Sequence, residues 1–432
     1  MATQSLMQVT TNRDGVVDRR SFLRTVALGA AGAGVLGWKD AVTLHADELR
    51  RQNRACILLY MNGGPSQFET LDPKPGTTNG GPTRAVQTAV PGVQLAEPWT
   101  NLARVLGDVA LIRSMTNREG EHQRASYQMH TGYVPLGGVR YPSIGAIAAR
   151  EIGPRGFDLP HFVSIGGRFN LIGSGFLGMA YSPFVVANPN QMPANSELPG
   201  GVGNDRFGRR LDLMRDLSQD FADAGGQARV QEHQALYTSA AQMVRSPRLR
   251  AFDISQEQGA TRDRYGRTAF GQGCLLARRL VEAGVTFVEV SSNGWDTHQD
   301  NFERTRTLSE PVDRGFGALV ADLKDRGLLE RTLVIWMGEF GRTPRINANT
   351  GRDHFPRAFS LALAGGGVRG GRVIGATSAS GSDVTQRPVT VADLFCTFCH
   401  SLGINPRREN ITSLGRPIRI VDGGQHVREL FA

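Results

Sequence analysis

Val285-Thr-Phe-Val-Glu-Val-Ser291 and Thr332-Leu-Val-Ile-Trp-Met337 bracket a helical period over Pro311 to Arg326, and that succession sets the fold class. Both short runs are dense in β-branched and aromatic residues, as buried strands are. Strand, helix, strand in this order is a βαβ unit, whose strands run parallel with a right-handed crossover. A further helical period over Ala269 to Ala283 leads into it.

The same rhythm extends in both directions. Upstream, Ala55 to Met61 reads as a strand buried on both faces, ending at Asn62-Gly-Gly-Pro65. A helix near Leu102 to Leu106 leads to a strand over Val109 to Met115, then a polar loop, Thr116 to Gln123, and a helix through Ser126 to His130. Downstream come a strand over Phe359 to Ala364, a Gly-rich turn, Arg372 to Gly375, and a helix over Val389 to Leu402. The turn, Gly365 to Gly371, lacks the Lys-Ser/Thr ending of a phosphate loop and reads as a flexible connection. Between Pro183 and Gly226 the composition shifts to Pro, Asn and Gly, then turns helical around Arg209 to Ala222 and Val230 to Val244, so residues 183–266 read as an insertion or cap. The fold class is α/β.

Ligands of open α/β sheets gather at the carboxyl ends of the strands, so the loops after Met61, Met115, Ser291 and Met337 should face one crevice. After Ser291, Asp296 and His298 stand two residues apart, and in an extended loop both can point the same way, as a chelating pair does; a turn-forming Asp beside a surface His is the alternative. After Met337, Glu339 and Arg342 precede Gly351-Arg-Asp-His354, which adds Asp353 and His354; Glu339 could instead pair with Arg342. After Met115, His122 is a candidate ligand or nucleophile, and Arg124 a clamp for an oxyanion near a helix N-terminus, against the alternative of an ordinary polar first turn. Together these residues could hold one or two divalent ions that polarise a phosphoryl or sulfuryl ester.

Arg19-Arg-Ser-Phe-Leu-Arg24 followed by the Gly/Ala-rich segment Thr25 to Gly37 reads as a twin-arginine export signal, too short and too rich in small residues to span a membrane as a helix. Residues 1–46 are assigned to this signal and 47–432 to the mature domain, in the periplasm or outside the cell, with membrane attachment only if the signal stays uncleaved. With 40% hydrophobic residues, 432 residues can bury a substantial core. The net charge of +9 is arginine-rich, with clusters at 206–210, 262–267 and 342–357, which suits an anionic substrate or envelope polymer as well as it suits a plain basic enzyme. A stripe of basic and stacking aromatic residues is missing, so nucleic acid is not an expected partner. Four cysteines are too few for a disulfide scaffold. Cys396-Thr-Phe-Cys399-His400 has the spacing of covalent haem attachment, but it lies on a helical apolar period and reads as buried thiols, with a disulfide as the alternative.

These motifs, with Gly63-Gly-Pro-Ser66, Thr70-Leu-Asp-Pro-Lys-Pro75, Arg262-Asp-Arg-Tyr-Gly-Arg267, Gly338-Glu-Phe-Gly-Arg-Thr-Pro344 and Leu414-Gly-Arg-Pro417, resemble a family of twin-arginine-exported, sulfatase-like proteins of unknown function across almost the whole chain. That family is placed in the alkaline phosphatase superfamily. The resemblance implies a mixed, mostly parallel sheet flanked by helices on both faces, and a metal-assisted site for phosphate or sulfate esters of small molecules or polysaccharides. It implies Asp296, His298, Glu339 and His354 as ligands of a divalent ion (zinc, calcium or manganese), His122 at the nucleophile position, and Arg124 or Arg342 holding the anion. It also shows departures. The loop after Met115 has no Cys/Ser-x-Pro/Ala-x-Arg motif, Asn62 stands where an Asp is usual, and Phe340 stands where a second-metal His is expected. A degenerate member that binds an envelope polysaccharide or a partner protein without turnover is the alternative function. Metal content separates the two.

Overall fold

The structure is a computed structural model that describes residues 54–135, 137–167, 172–412 and 414–432. The twin-arginine segment and the cleavage region lie outside the described residues. Nine strands of the described residues form one sheet: Ala55–Asn62 (β1), Val109–Thr116 (β2), Phe162–Ile165 (β3), Phe184–Val186 (β4), Phe287–Asn293 (β5), Thr332–Met337 (β6), Phe359–Ala364 (β7), Val373–Ile374 (β8) and Val389–Thr390 (β9). Their order is β8-β2-β7-β6-β1-β5-β3-β4, with β9 also on β2. Only β7 runs antiparallel, to β2 on one side and β6 on the other; the remaining pairs are parallel. The sheet is mixed and mostly parallel, as expected.

β1 is apolar at nearly every position because it has no solvent face. Ile57, Leu59 and Met61 enter one core and Cys56, Leu58 and Tyr60 the other. Helices cover both sides. Ala269–Glu282 and Asn301–Asp325 close the first core, through residues such as Leu276, Phe316 and Leu319. The second is closed by Ile144–Ile152 and Val391–Leu402, through Ile147, Phe395 and Phe398. The latter helix begins with a capping box, Thr390 and Asp393 each bonding the other's backbone N–H, and ends at Gly403 in the left-handed conformation.

The βαβ unit is present with two differences. β5 and β6 are separated by β1, so their connection crosses over the central strand. Its helix starts at Asn301 rather than Pro311: the proline sits inside the helix, and the polar first turns before it carry no apolar period to announce them. The polar loop after β2 is also shorter than expected, since the next helix, His122–Thr131 (α1), begins at His122, with Glu121 accepting from the N–H groups of Gln123 and Arg124. Within residues 183–266, β4 extends the main sheet before the helices Asn204–Phe221 and Gln227–Arg245.

Parallel pairing puts the carboxyl ends of β1, β5 and β6 on one edge, with Asn62 opposite Asn293 and Tyr60 opposite Met337. Since β7 is antiparallel to both β6 and β2, β2 ends there as well. Four loops therefore leave the sheet together. No helix among the described residues is long and apolar enough to cross a membrane.

Candidate metal centre

Arg342 joins the loops at this edge. It is fully buried, and its guanidinium donates to the carbonyls of Gly63, Gly64 (2.8 Å), Trp295 (3.3 Å) and Arg352 (3.1 Å) and to Asp296 Oδ1 (2.7 Å). A short antiparallel ribbon, Gly341–Arg342 against His354–Phe355, sets His354 opposite it. Gly63, at φ +117°, lies so close to the next loop that a Cβ would strike the backbone nitrogen of Asp296. Trp295 is wholly buried, with its indole N–H on Ser292 Oγ at 3.0 Å, which anchors the segment carrying Asp296 and His298.

Three imidazoles and one carboxylate meet there. Asp296 Oδ1 lies 3.3 Å from His122 Nε2, 3.1 Å from His298 Nε2 and 3.5 Å from His354 Nε2. The Nε2 atoms of His298 and His354 are 3.0 Å apart, and His122, Asp296 and His354 offer donor atoms all within 4.8 Å of one another. Each ring is fixed from behind through Nδ1: His122 by Glu339 Oε1 at 2.7 Å, His298 by Asp353 Oδ1 at 2.8 Å, and His354 by the Gly120 carbonyl at 2.7 Å. Carboxylates and carbonyls accept, so each Nδ1 donates and each Nε2 is the ring atom left facing Asp296.

Converging lone pairs around an anionic oxygen repel one another unless protons or a cation lie among them. Two Nε2 atoms 3.0 Å apart can share one proton at most, and His122 Nε2 is buried without a hydrogen-bond partner. A divalent cation among His122, Asp296 and His354 would answer the converging groups. His122, Asp296 and His354 form the group whose donor atoms are all mutually close, and His298 Nε2 adds a donor beside Asp296 and His354. The donor set fits a metal ion.

Electrostatics agrees for Asp296 and His354. Burial alone would raise the Asp296 carboxyl, but Arg342 and the neighbouring imidazoles outweigh it and hold the group at about 2, ionised at any physiological pH. Burial lowers His354, with the nearby positive charge of Arg342 adding to it, so its imidazole stays neutral and able to coordinate. Glu339 raises His122 despite burial.

Of the residues singled out from sequence, Asp296, His298, His354 and His122 come together. Glu339 does not meet them at the centre: it is fully buried behind His122, with Oε1 also accepting from Gly63 N–H at 2.9 Å and Oε2 3.2 Å from the Tyr60 hydroxyl. Arg342 is spent on carbonyls and Asp296, and Arg124 forms a two-bonded pair with Glu119 at 2.8 and 2.9 Å. The arginine cluster at 342–357 is in part internal, since Arg352 is also fully buried, against Glu69 at 2.9 Å. Phe340 packs against the rings of His122 and His354, with centroids 5.0 and 4.6 Å away, and so fills this side of the centre with apolar surface. Asn62 faces Asn293, its amide donating across the strand ends at 3.1 Å. Tyr60 was missed in the sequence because a tyrosine in an apolar run reads as core. Cys396 and Cys399 are buried free thiols, as are Cys56 and Cys274.

A sequence family described as "Protein of unknown function (DUF1501)" matches residues 53–431. No curated protein matches the chain. Among solved structures it is similar to the PsFucS1 sulfatase from Pseudoalteromonas sp., with 14% identity over 84% of this chain and 72% of that one and a TM-score of 0.39. It is also similar to the lipoteichoic acid synthase LtaP from Listeria monocytogenes (8% identity, 86% of this chain and 75% of that one, TM-score 0.40). A phosphonate monoester hydrolase of Agrobacterium radiobacter matches with 14% identity over 88% of this chain and 77% of that one, at a TM-score of 0.31. Likenesses this distant lend the chain no chemistry.

Proposed function

The chain belongs to the DUF1501 family of proteins of unknown function, and we propose that it is an exported metal-dependent hydrolase of phosphate or sulfate esters. The observation that carries this reading is the convergence of three imidazole Nε2 atoms on one carboxylate oxygen, with every Nδ1 already bonded. His122, Asp296, His298 and His354 would hold the ion, with Glu339 and Asp353 behind the first and third of these. Three nitrogen donors suit zinc better than manganese or calcium, both of which favour oxygen ligands. A divalent ion held there would supply a Lewis acid for an ester oxygen and lower the pKa of water.

The chain's own residues supply placement. Arg342 fixes Asp296 and, through the carbonyls it binds, the loops after β1 and β5. Phe340 keeps water from the inner faces of His122 and His354. With His122 acting as a ligand, it is no longer available as the nucleophile. Export by the twin-arginine translocase to the periplasm or beyond belongs to the same proposal, on the motif at Arg19-Arg20.

A second reading, a non-catalytic member that binds an envelope polysaccharide or a partner protein, is favoured by one observation. Arg342 and Arg124, the two candidate anion clamps, are both already paired.

Metal content by mass spectrometry on the natively exported protein, beside an Asp296→Ala/His354→Ala double variant, is the test. Near-stoichiometric metal lost in the variant, followed by turnover of an aryl phosphate or aryl sulfate, is the expected result. Protein without metal overturns the hydrolase reading, and bound metal without turnover of either ester class moves the conclusion to the binding protein.

A further inference from the structure

Deepening the metal reading above, on which it rests, we propose that Tyr60 is a positioning residue for the centre: its hydroxyl holds Glu339, which in turn holds the ring of His122 with Nε2 toward the ion. Tyr60 lies on the central strand with 3% of its surface exposed. Its hydroxyl is 2.9 Å from Ser126 Oγ and 3.2 Å from Glu339 Oε2.

A buried phenol has one proton to give. Ser126 can donate as well as accept, whereas an ionised carboxylate only accepts, and charge-assisted bonds are the stronger. Tyr60 therefore donates to Glu339, and Ser126 takes the other side of the hydroxyl. Glu339 has no slack: Oε1 is shared between Gly63 N–H at 2.9 Å and His122 Nδ1 at 2.7 Å, and Tyr60 is the one partner of Oε2 among the described residues. Without that hydroxyl a fully buried carboxylate oxygen is left unbonded, which favours rotation or protonation of the group and frees His122.

The surroundings keep the tyrosine ring in place independently of its hydroxyl. The His130 ring lies against it with centroids 4.3 Å apart, and His130 is itself fixed through Nδ1 to the Ser126 carbonyl at 2.7 Å. Along α1, His122, Ser126 and His130 recur at four-residue intervals, so one helix face carries a metal-facing imidazole, the partner of Tyr60 and the packing partner of Tyr60. A phenylalanine fits the same space, so the substitution isolates the hydroxyl.

The test is titration of metal-free protein with cobalt(II), read by visible absorbance, for the wild type, Tyr60→Phe, Ser126→Ala and His122→Ala, with thermal unfolding in chelator alongside. Tyr60→Phe is expected to bind cobalt at least ten-fold more weakly, the loss typical when a group behind a ligand is removed. Ser126→Ala is expected to stay within about two-fold of the wild type. The unfolding midpoint of the metal-free Tyr60→Phe protein should fall by a few degrees, and a merely structural tyrosine would give that fall with cobalt affinity kept. Should Tyr60→Phe fail to fold, Glu339→Gln, of equal size, carries the same expectation. Wild-type binding that is abolished in His122→Ala but unchanged in Tyr60→Phe overturns this proposal alone. Wild-type protein that binds no cobalt overturns the metal reading and the proposal with it.

Discussion

Arg342→Met should cost more stability than any single substitution of a ligand. Its guanidinium carries five bonds, four to carbonyls and one to Asp296, at zero exposure. Removing one partner of a buried charged pair costs about 3–5 kcal/mol, and each carbonyl left dry adds about 1–3 kcal/mol unless water enters. Methionine fills most of the volume, so little of the loss comes from a cavity. Water can reach the Asp296 end, whose side chain is 47% exposed, which removes part of that loss and leaves about 4–6 kcal/mol in all. At roughly 2 °C per kcal/mol for a domain of this size, the unfolding midpoint should fall by about 8–12 °C. Metal-free protein followed by tryptophan fluorescence reports the loss directly, since Trp295 sits in one of the joined loops. Arg342→Lys should recover less than half, because an ammonium keeps the charge on Asp296 but cannot reach carbonyls from three separate loops. The carboxyl of Asp296 should also rise from about 2 toward its ordinary 3.8. A midpoint lowered by less than about 2 °C would refute the view that this side chain holds the strand-end loops together.

Gly63→Ala should destabilise by about 3 kcal/mol or more and abolish cobalt binding, because φ +117° and contact with the Asp296 backbone both exclude a Cβ; denaturant titration and cobalt absorbance check it. His161 gives a pH prediction away from the centre: burial lowers its pKa below 6.5 and its Nδ1 has no partner, so the unfolded chain takes the proton first. Its contribution is complete above about pH 6.5 and is lost as pH falls below that, by at most about 1.4 kcal/mol per unit. His161→Phe, which can still stack on Phe157, should flatten that part of the stability curve by this amount, as measured by urea unfolding at pH 7.5 and 5.5. The four cysteines are free and buried, so native protein should neither react with Ellman's reagent nor show a Soret band, and all four should titrate after unfolding.

How much of this could be read beforehand follows from what each feature depends on. The strands β1, β2, β5, β6 and β7 are visible because burial on both faces leaves them mostly apolar, with few polar residues such as Ser114, Glu289 and Ser360 inside. That four loops share an edge followed from parallel pairing, and Asp296, His298 and His354 followed from those loops. Which polar side chain reaches the centre, and which stands behind it, depends on a few ångströms and a rotamer. Glu339 and His122 sat in the expected loops, but Glu339 emerges directly from β6, deep in the crevice, where Gly63 N–H and Tyr60 capture its carboxylate. His122 stands at the first turn of a helix above it and reaches the oxygen of Asp296 from the far side of its ring. Arg342 is expected, with Arg124, to hold an external anion, and its loop is rich in glycine. The same glycines let backbone carbonyls approach, and five donors in a rigid fork were used up by the protein itself. The sequence signal that separates the two uses is local: a basic residue meant for solvent needs neighbours that keep it out, whereas Gly341 and the ribbon pairing with His354 draw Arg342 inward.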